Sequence, residues 1–199
     1  GRTVGLSGIP TDAAVFATML KTAGLKASDV KTVTLGFNVL PALLAKRVDA
    51  IVAYRNVEGV QVQQKAGGAT VTPADRAGVP EYDELVLVAN SKRLASDPAY
   101  AASVRDLVAA LAEGTRAAAA APAAATALVG KVTEYAPAFL KVSVPLTLKL
   151  MASDGAARIG CLSPAAWARY GAWMQSTGLL TAKPDAAKVV TTAYQPKGC

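Results

Sequence analysis

The chain has 199 residues, of which 52% are apolar, with a formal charge of +7 and no histidine. That length and apolar content exclude a disordered chain and give one large domain or two small ones with a real core. Without histidine there is no Ser-His-Asp or Cys-His nucleophile system and no histidine metal site, and the scattered lysines and arginines favour a solvated surface over a nucleic-acid face.

Gly1-Arg2-Thr3-Val4 leads straight into a strand instead of a signal peptide, so the expectation is a processed or truncated piece. Residues 2–6 (RTVGL) read as that strand and Ser7-Gly8-Ile9-Pro10 as the turn after it. Thr11 is expected to cap the next helix, with Asp12 in its first turn; Val15, Phe16, Met19, Leu20 and Ala23 repeat as one face, and Gly24 stops it. Backbone N–H groups at such a helix start hold anionic or carbonyl groups, which makes Ser7 and Gly8 candidate contacts. Taken alone, Gly8 reads better as the residue that eases a tight turn.

Lys31 to Leu35 is the next expected strand, ending in Gly36-Phe37-Asn38. A short helix over 39–46 and an apolar strand over Asp49 to Ala53 follow, and the strand ends in Tyr54-Arg55-Asn56. Strand, helix and strand make a βαβ unit, parallel and right-handed, whose polar tips share one sheet edge. Ligands of open α/β sheets sit beyond such carboxyl ends, so Asn38, Tyr54, Asn56 and Glu58 join the candidate site. Asn56 is expected to cap a helix running to about Lys65, with Glu58 in its first turn, a structural role beside a ligand role. Gly67-Gly68 ends that segment, and Ala69 to Thr72 is a further short strand candidate.

Residues 73–83 are a Pro/Gly/charge-rich connection, and Glu84 to Asn90 (ELVLVAN) reads as a strand. Asp97-Pro98 starts a long helix in which Gly114 is an expected interruption and Pro122 a restart. The nearly uncharged run around Ala117 to Gly130 is broken by that proline, so no transmembrane helix is expected. Residues 137–151 form another helix with Pro145 as a kink or break. Ser163-Pro164 begins a clear one bearing Trp167, Tyr170 and Met174, closed by Gly178, and a last short helix runs from Pro184 into Tyr194. The domains expected are an α/β ligand-binding lobe over 1–75, a hinge and crossover strand over 76–90, and a helix-rich part over 91–199.

Cys161 and the final residue, Cys199, lack CxxC spacing. A Cys161–Cys199 disulfide that pins the tail, and hence an oxidising compartment, is one reading; two unrelated thiols is the other. There is no GxxxxGK[ST] phosphate loop and no GxGxxG after the first strand. Asp83 and Glu84 are adjacent, so on a strand they point to opposite faces and make a poor catalytic pair. Binding is favoured over catalysis, with no cofactor and no metal expected.

The series TVGLSGIPTD, VTLGFNVLPALLAKRVDAIVAYRNVEG, GVPEYDELVLVAN and SPAAWARYGAWMQSTGLL resembles the substrate-binding proteins of ABC importers, in the family that binds thiamine pyrimidine precursors, alkanesulfonates, taurine and nitrate. The resemblance implies an α/β, type II periplasmic-binding-protein-like fold: here one βαβ lobe plus a helix-rich C-terminal part, without the first half of the N-terminal lobe. It implies a non-enzymatic role in capturing a small polar heterocycle for an ABC transporter permease. The location implied is periplasmic or extracellular, with membrane attachment only through the permease or a lipid anchor not present in this chain. Tyr54 and Glu58 match the tyrosine and glutamate that contact the heterocycle in pyrimidine-binding members. Asn38 and Asn56 supply orienting donors and acceptors, and Ser7 and Gly8 lie where small-anion binders place their contacts. A sulfonate, taurine or nitrate binder is the first alternative. A pyrimidine-synthase-like enzyme is disfavoured by the missing histidine, and a sensing domain of a regulator is a third reading.

Overall fold

A computed structural model describes all residues, 1–199. The chain divides into two compact units: Gly1–Glu81 with Ala168–Pro184, and Tyr82–Trp167 with Asp185–Cys199.

The first unit is built on a three-stranded parallel sheet of order β2-β1-β3, from β1 (Arg2–Leu6), β2 (Val30–Thr34) and β3 (Ala50–Ile51). The βαβ expectation holds in its parallel sense, but β2 and β3 do not touch, because β1 lies between them. Val4, Gly5 and Leu6 are accordingly buried, as a central strand covered on both faces requires. Asp49 extends the two-residue β3: its N–H donates to the Thr3 carbonyl at 2.8 Å, and its carboxylate accepts from Thr3 N–H at 2.8 Å and Arg2 Nη1 at 2.7 Å.

Helix α1 (Pro10–Thr22) follows β1, α2 (Val39–Leu44) joins β2 to β3, and α3 (Glu58–Ala66) follows β3. Thr11 is not the cap of α1. Pro10 begins the helix two residues earlier than a Thr11 cap would, at a position where proline's fixed φ fits and its missing N–H costs nothing, and Ile9 precedes it without a side-chain cap. Asn56 is not the cap of α3 either: that helix starts at Glu58, whose carboxylate turns back to the Tyr54 N–H at 3.0 Å. Ala69 to Thr72 forms no strand. Trp173 closes this unit from outside the α/β sequence. It is buried with Ala14 and Val79, stacks on Tyr170 with ring centroids 5.2 Å apart, and donates its indole N–H to Thr18 of α1 at 3.0 Å.

The second unit is helical. Helices α4 (Ser91–Ser96), α5 (Pro98–Ala120), α6 (Pro122–Val132) and α7 (Pro137–Met151) precede α8 (Pro164–Ser176), and α9 (Ala186–Val189) is a single turn near the end. The division between units falls inside α8. The Asp97 side chain caps α5 at Tyr100 N–H, 2.9 Å away. Gly114 does not interrupt α5: roughly 1 kcal/mol of glycine cost is outweighed by the alanine, leucine and glutamate around it. Pro145 sits inside α7 without ending it. Glu84–Asn90 forms no strand, since a strand exists only through a partner's hydrogen bonds and the three-stranded sheet of the first unit does not include it. A disulfide joins Cys161 and Cys199, and Gln195 Nε2 donates to the Leu162 carbonyl at 3.0 Å beside it.

Three expectations follow. Trp173→Ala lowers stability by about 3–5 kcal/mol, the range for deleting a buried aromatic, in urea unfolding followed by far-UV circular dichroism. Cys199→Ser, which opens a loop with a sequence separation of 38, lowers it by about 2–4 kcal/mol in the same assay, whereas unrelated thiols would leave it unchanged. The Thr3 N–H and then Arg2 hold the Asp49 carboxyl below the ordinary aspartate range. Asp49 therefore stabilises the fold above its unfolded pKa of about 3.9, and this contribution is lost as pH falls through the lower folded value. Melting curves of the wild type and Asp49→Asn should differ at neutral pH and converge in acid.

Candidate functional site

Parallel pairing brings the three strand tips to one edge. Leu35 N–H donates to Leu6 O at 2.9 Å and Val52 N–H to Gly5 O at 3.2 Å, so the β1 tip at Ser7-Gly8 lies between the chains leaving β2 and β3.

At the β1 tip, Asp12 reaches back from the first turn of α1. Its Oδ2 accepts from the Ser7 N–H at 3.0 Å and from the Ser7 hydroxyl. The groups that would greet an anion are thus already engaged by a carboxylate of the chain itself. Gly8 has φ 93°, and a Cβ there would come within 2.8 Å of Thr34 Cγ2, so glycine is required both by the turn and by the close approach of β2. The turn reading of Gly8 is sufficient.

At the β2 tip, Gly36–Asn38 forms a single 3-10 turn that leads into α2. Asn38 is exposed, and the Phe37 side chain next to it is 91% exposed. Phe37 is absent from the residues picked out by sequence; a phenylalanine in an apolar context reads as core, and only its place on the turn turns it outward.

At the β3 tip, the Tyr54 carbonyl accepts from Val57 N–H at 3.1 Å and Gly59 N–H at 3.0 Å, while the Tyr54 N–H is taken by Glu58 Oε2. This closed turn fixes the Glu58 carboxylate beside the tyrosine backbone and leaves the Tyr54 side chain 54% exposed. Asn56 lies inside the same turn and is partly buried. The structure therefore unites Tyr54, Asn56 and Glu58 in one turn, puts Ser7 and Gly8 on the neighbouring strand, and sets Asn38 on the far side of β1. No cluster of three or more His, Cys, Asp or Glu side chains offers a metal site. The groups at the strand ends are carboxylates, amides and aromatic faces.

Residues 1–125 match the family described as NMT1/THI5 like. The chain belongs to the NMT1/THI5-like family. Among curated relatives, a protein of Haemophilus influenzae named for thiamine biosynthesis is 40% identical over 92 residues, which are 45% of this chain and 29% of that protein. A formylaminopyrimidine-binding protein of Halalkalibacterium halodurans is 35% identical over 91 residues, 45% of this chain and 28% of that one. The matched segment spans less than a third of either relative. The α/β architecture, a small parallel sheet within a mostly helical chain, agrees with part of a periplasmic-binding-protein-like fold, and no helix is long and apolar enough to cross a membrane.

Proposed function

We propose that this NMT1/THI5-like chain is part of a solute-binding protein that captures a thiamine pyrimidine precursor, an amino-substituted nitrogen heterocycle, for import through an ABC transporter permease. The observation that carries the reading is the closed turn at Tyr54–Glu58. It holds a carboxylate and a half-exposed aromatic ring at the carboxyl end of β3, next to the tip of β1. A carboxylate accepts an exocyclic amino hydrogen, and a ring N–H beside it when the adjacent ring nitrogen is protonated; charge-assisted bonds of this kind are about twice as strong as neutral ones. The phenol ring offers a face for the heterocycle, and the amides of Asn38 and Asn56 offer donors and acceptors that choose its orientation. The formylaminopyrimidine-binding relative supports the same ligand class.

The small-anion alternative fares worse on physical grounds. Asp12 already occupies the N–H and hydroxyl of Ser7, and Glu58 adds a second carboxylate at the same edge, so a sulfonate or nitrate would meet like charge where it needs donors. In the proposed reading the protein binds without catalysing, residues 1–75 form the ligand-binding lobe, 76–90 the hinge and 91–199 the helix-rich part. The disulfide suits an oxidising compartment outside the cytoplasm.

The test is isothermal calorimetry of the non-reduced chain with formylaminopyrimidine, aminopyrimidines, taurine and nitrate. Binding of the pyrimidines alone is expected. Glu58→Gln keeps an oxygen for the Tyr54 N–H but loses the charge, and should weaken pyrimidine binding by about 10-fold to 100-fold, from roughly 1.5–3 kcal/mol for a charged hydrogen bond. Tighter binding of taurine or nitrate than of any pyrimidine, or an unchanged affinity in Glu58→Gln, would overturn the reading.

A further inference from the structure

The cations of the first unit are scattered in the sequence, and the parallel sheet gathers them. Helices α1, α2 and α3 each leave a strand at the carboxyl edge and run back toward the opposite, amino edge, where residues 23–29 lead into β2 and 45–49 into β3. Lys21, Lys26, Lys31, Lys46 and Arg47 fall on the returns from α1 and α2 or at the start of β2, and all five are exposed. The two carboxylates of this edge are already engaged: Asp49 by Arg2 and the Thr3 N–H, and Asp29 by the Lys26 N–H at 2.8 Å. None of the five cations enters an ion pair. Further strands would widen the sheet beyond β2 or β3, not at the strand ends, and ammonium groups stay hydrated whatever packs beside them.

The two returns are built alike. After α1, the Gly24 N–H donates to the Lys21 carbonyl at 3.1 Å and the Leu25 N–H to the Leu20 carbonyl at 2.9 Å; after α2, the Lys46 N–H donates to the Leu43 carbonyl at 2.9 Å and the Arg47 N–H to the Ala42 carbonyl at 2.9 Å. In this helix-ending turn the first residue past the cap is left-handed and suits glycine, and the next is commonly apolar. The return from α1 follows that rule, with Gly24 at φ 71° and then Leu25. The return from α2 breaks it twice, with Lys46 at φ 57° and then Arg47. A lysine held where glycine fits better points to a use for its side chain.

Four of the five cations are lysines, point charges on flexible stems that suit a fluid array of phosphates. The fixed carboxylates of a protein partner are met better by the planar fork of arginine. Leu25 is 48% exposed in the same loop as Lys26, and an apolar side chain among cations is the pattern of a segment that seats at a headgroup boundary. We propose that the amino edge of the sheet docks on an anionic phospholipid surface, with the lipid phosphates against the five cations and Leu25 among the headgroups. The ligand edge lies at the other end of the strands and stays open, so this contact does not depend on what binds there.

The experiment is co-sedimentation of the non-reduced chain with vesicles of phosphatidylcholine alone or of an equal mixture with phosphatidylglycerol. Binding to the anionic vesicles alone is expected, and it weakens as salt rises. Lys26→Glu with Lys46→Glu and Arg47→Glu should lower the partition coefficient by at least about tenfold. Lys131→Glu with Lys141→Glu and Lys149→Glu makes the same change of charge at exposed positions on α6 and α7, and should lower it by less than about threefold. Lys46→Gly separates strain from charge: it should raise the melting temperature and still weaken binding by about fivefold, the share of one cation. Melting curves check that the triple variants stay folded. Absence of binding to anionic vesicles, equal binding to neutral ones, or equal losses in the two triple variants would overturn the proposal, as would a Lys46→Gly protein that binds as tightly as the wild type.

Discussion

Five residues, Arg2–Leu6, hold the α/β unit together. Being bonded on both sides, β1 fixes the direction of β2 and β3 at once, and it is the reason the chain leaves all three strands at one edge. The sheet is narrow, with only two residues of β3 in the ladder, so the Asp49 carboxylate on the Thr3 N–H and Arg2 matters more than an exposed ion pair ordinarily would. Remove that strand order and Ser7, Asn38 and Tyr54 no longer share an edge, and the turn at Glu58 has nothing to face.

At the same edge, the groups that cap the turns also set the local charge. Glu58 spends one oxygen on the Tyr54 N–H, and Asp12 does the same for Ser7. Each carboxylate stiffens a strand-to-helix turn while adding negative charge where the strands end. Rigid negative charge at a strand edge favours ligands rich in N–H donors and disfavours anions, which links the local capping chemistry to the pyrimidine reading.

Much of this was legible in the sequence, for local reasons. Pro98, Pro122, Pro137 and Pro164 each stand at a helix start, where proline is tolerated, and Gly24 and Gly178 mark stops. The joining of Cys161 to Cys199 was one of two readings of a terminal cysteine, and the structure selects it. What was not legible depends on distant partners. The ELVLVAN run has every local mark of a strand, yet no partner strand pairs with it here. The intrusion of β1 between β2 and β3 leaves no trace in the βαβ pattern, and the burial of Trp173 against Ala14 and Val79 joins residues far apart in the chain. Asn56 and Thr11 failed as caps because a neighbouring Glu58 and Pro10 set those helix starts first.

The central claim is that the strand-tip edge is where a pyrimidine binds. Titrating formylaminopyrimidine into the isotopically labelled, non-reduced chain and following backbone amide resonances tests it most directly. The account predicts saturable shifts centred on Gly8, Asn38 and Tyr54 through Glu58, with the helical unit silent. Shifts centred on the groove lined by Leu107, Leu111, Leu148 and Met151, with the strand tips unmoved, would contradict it.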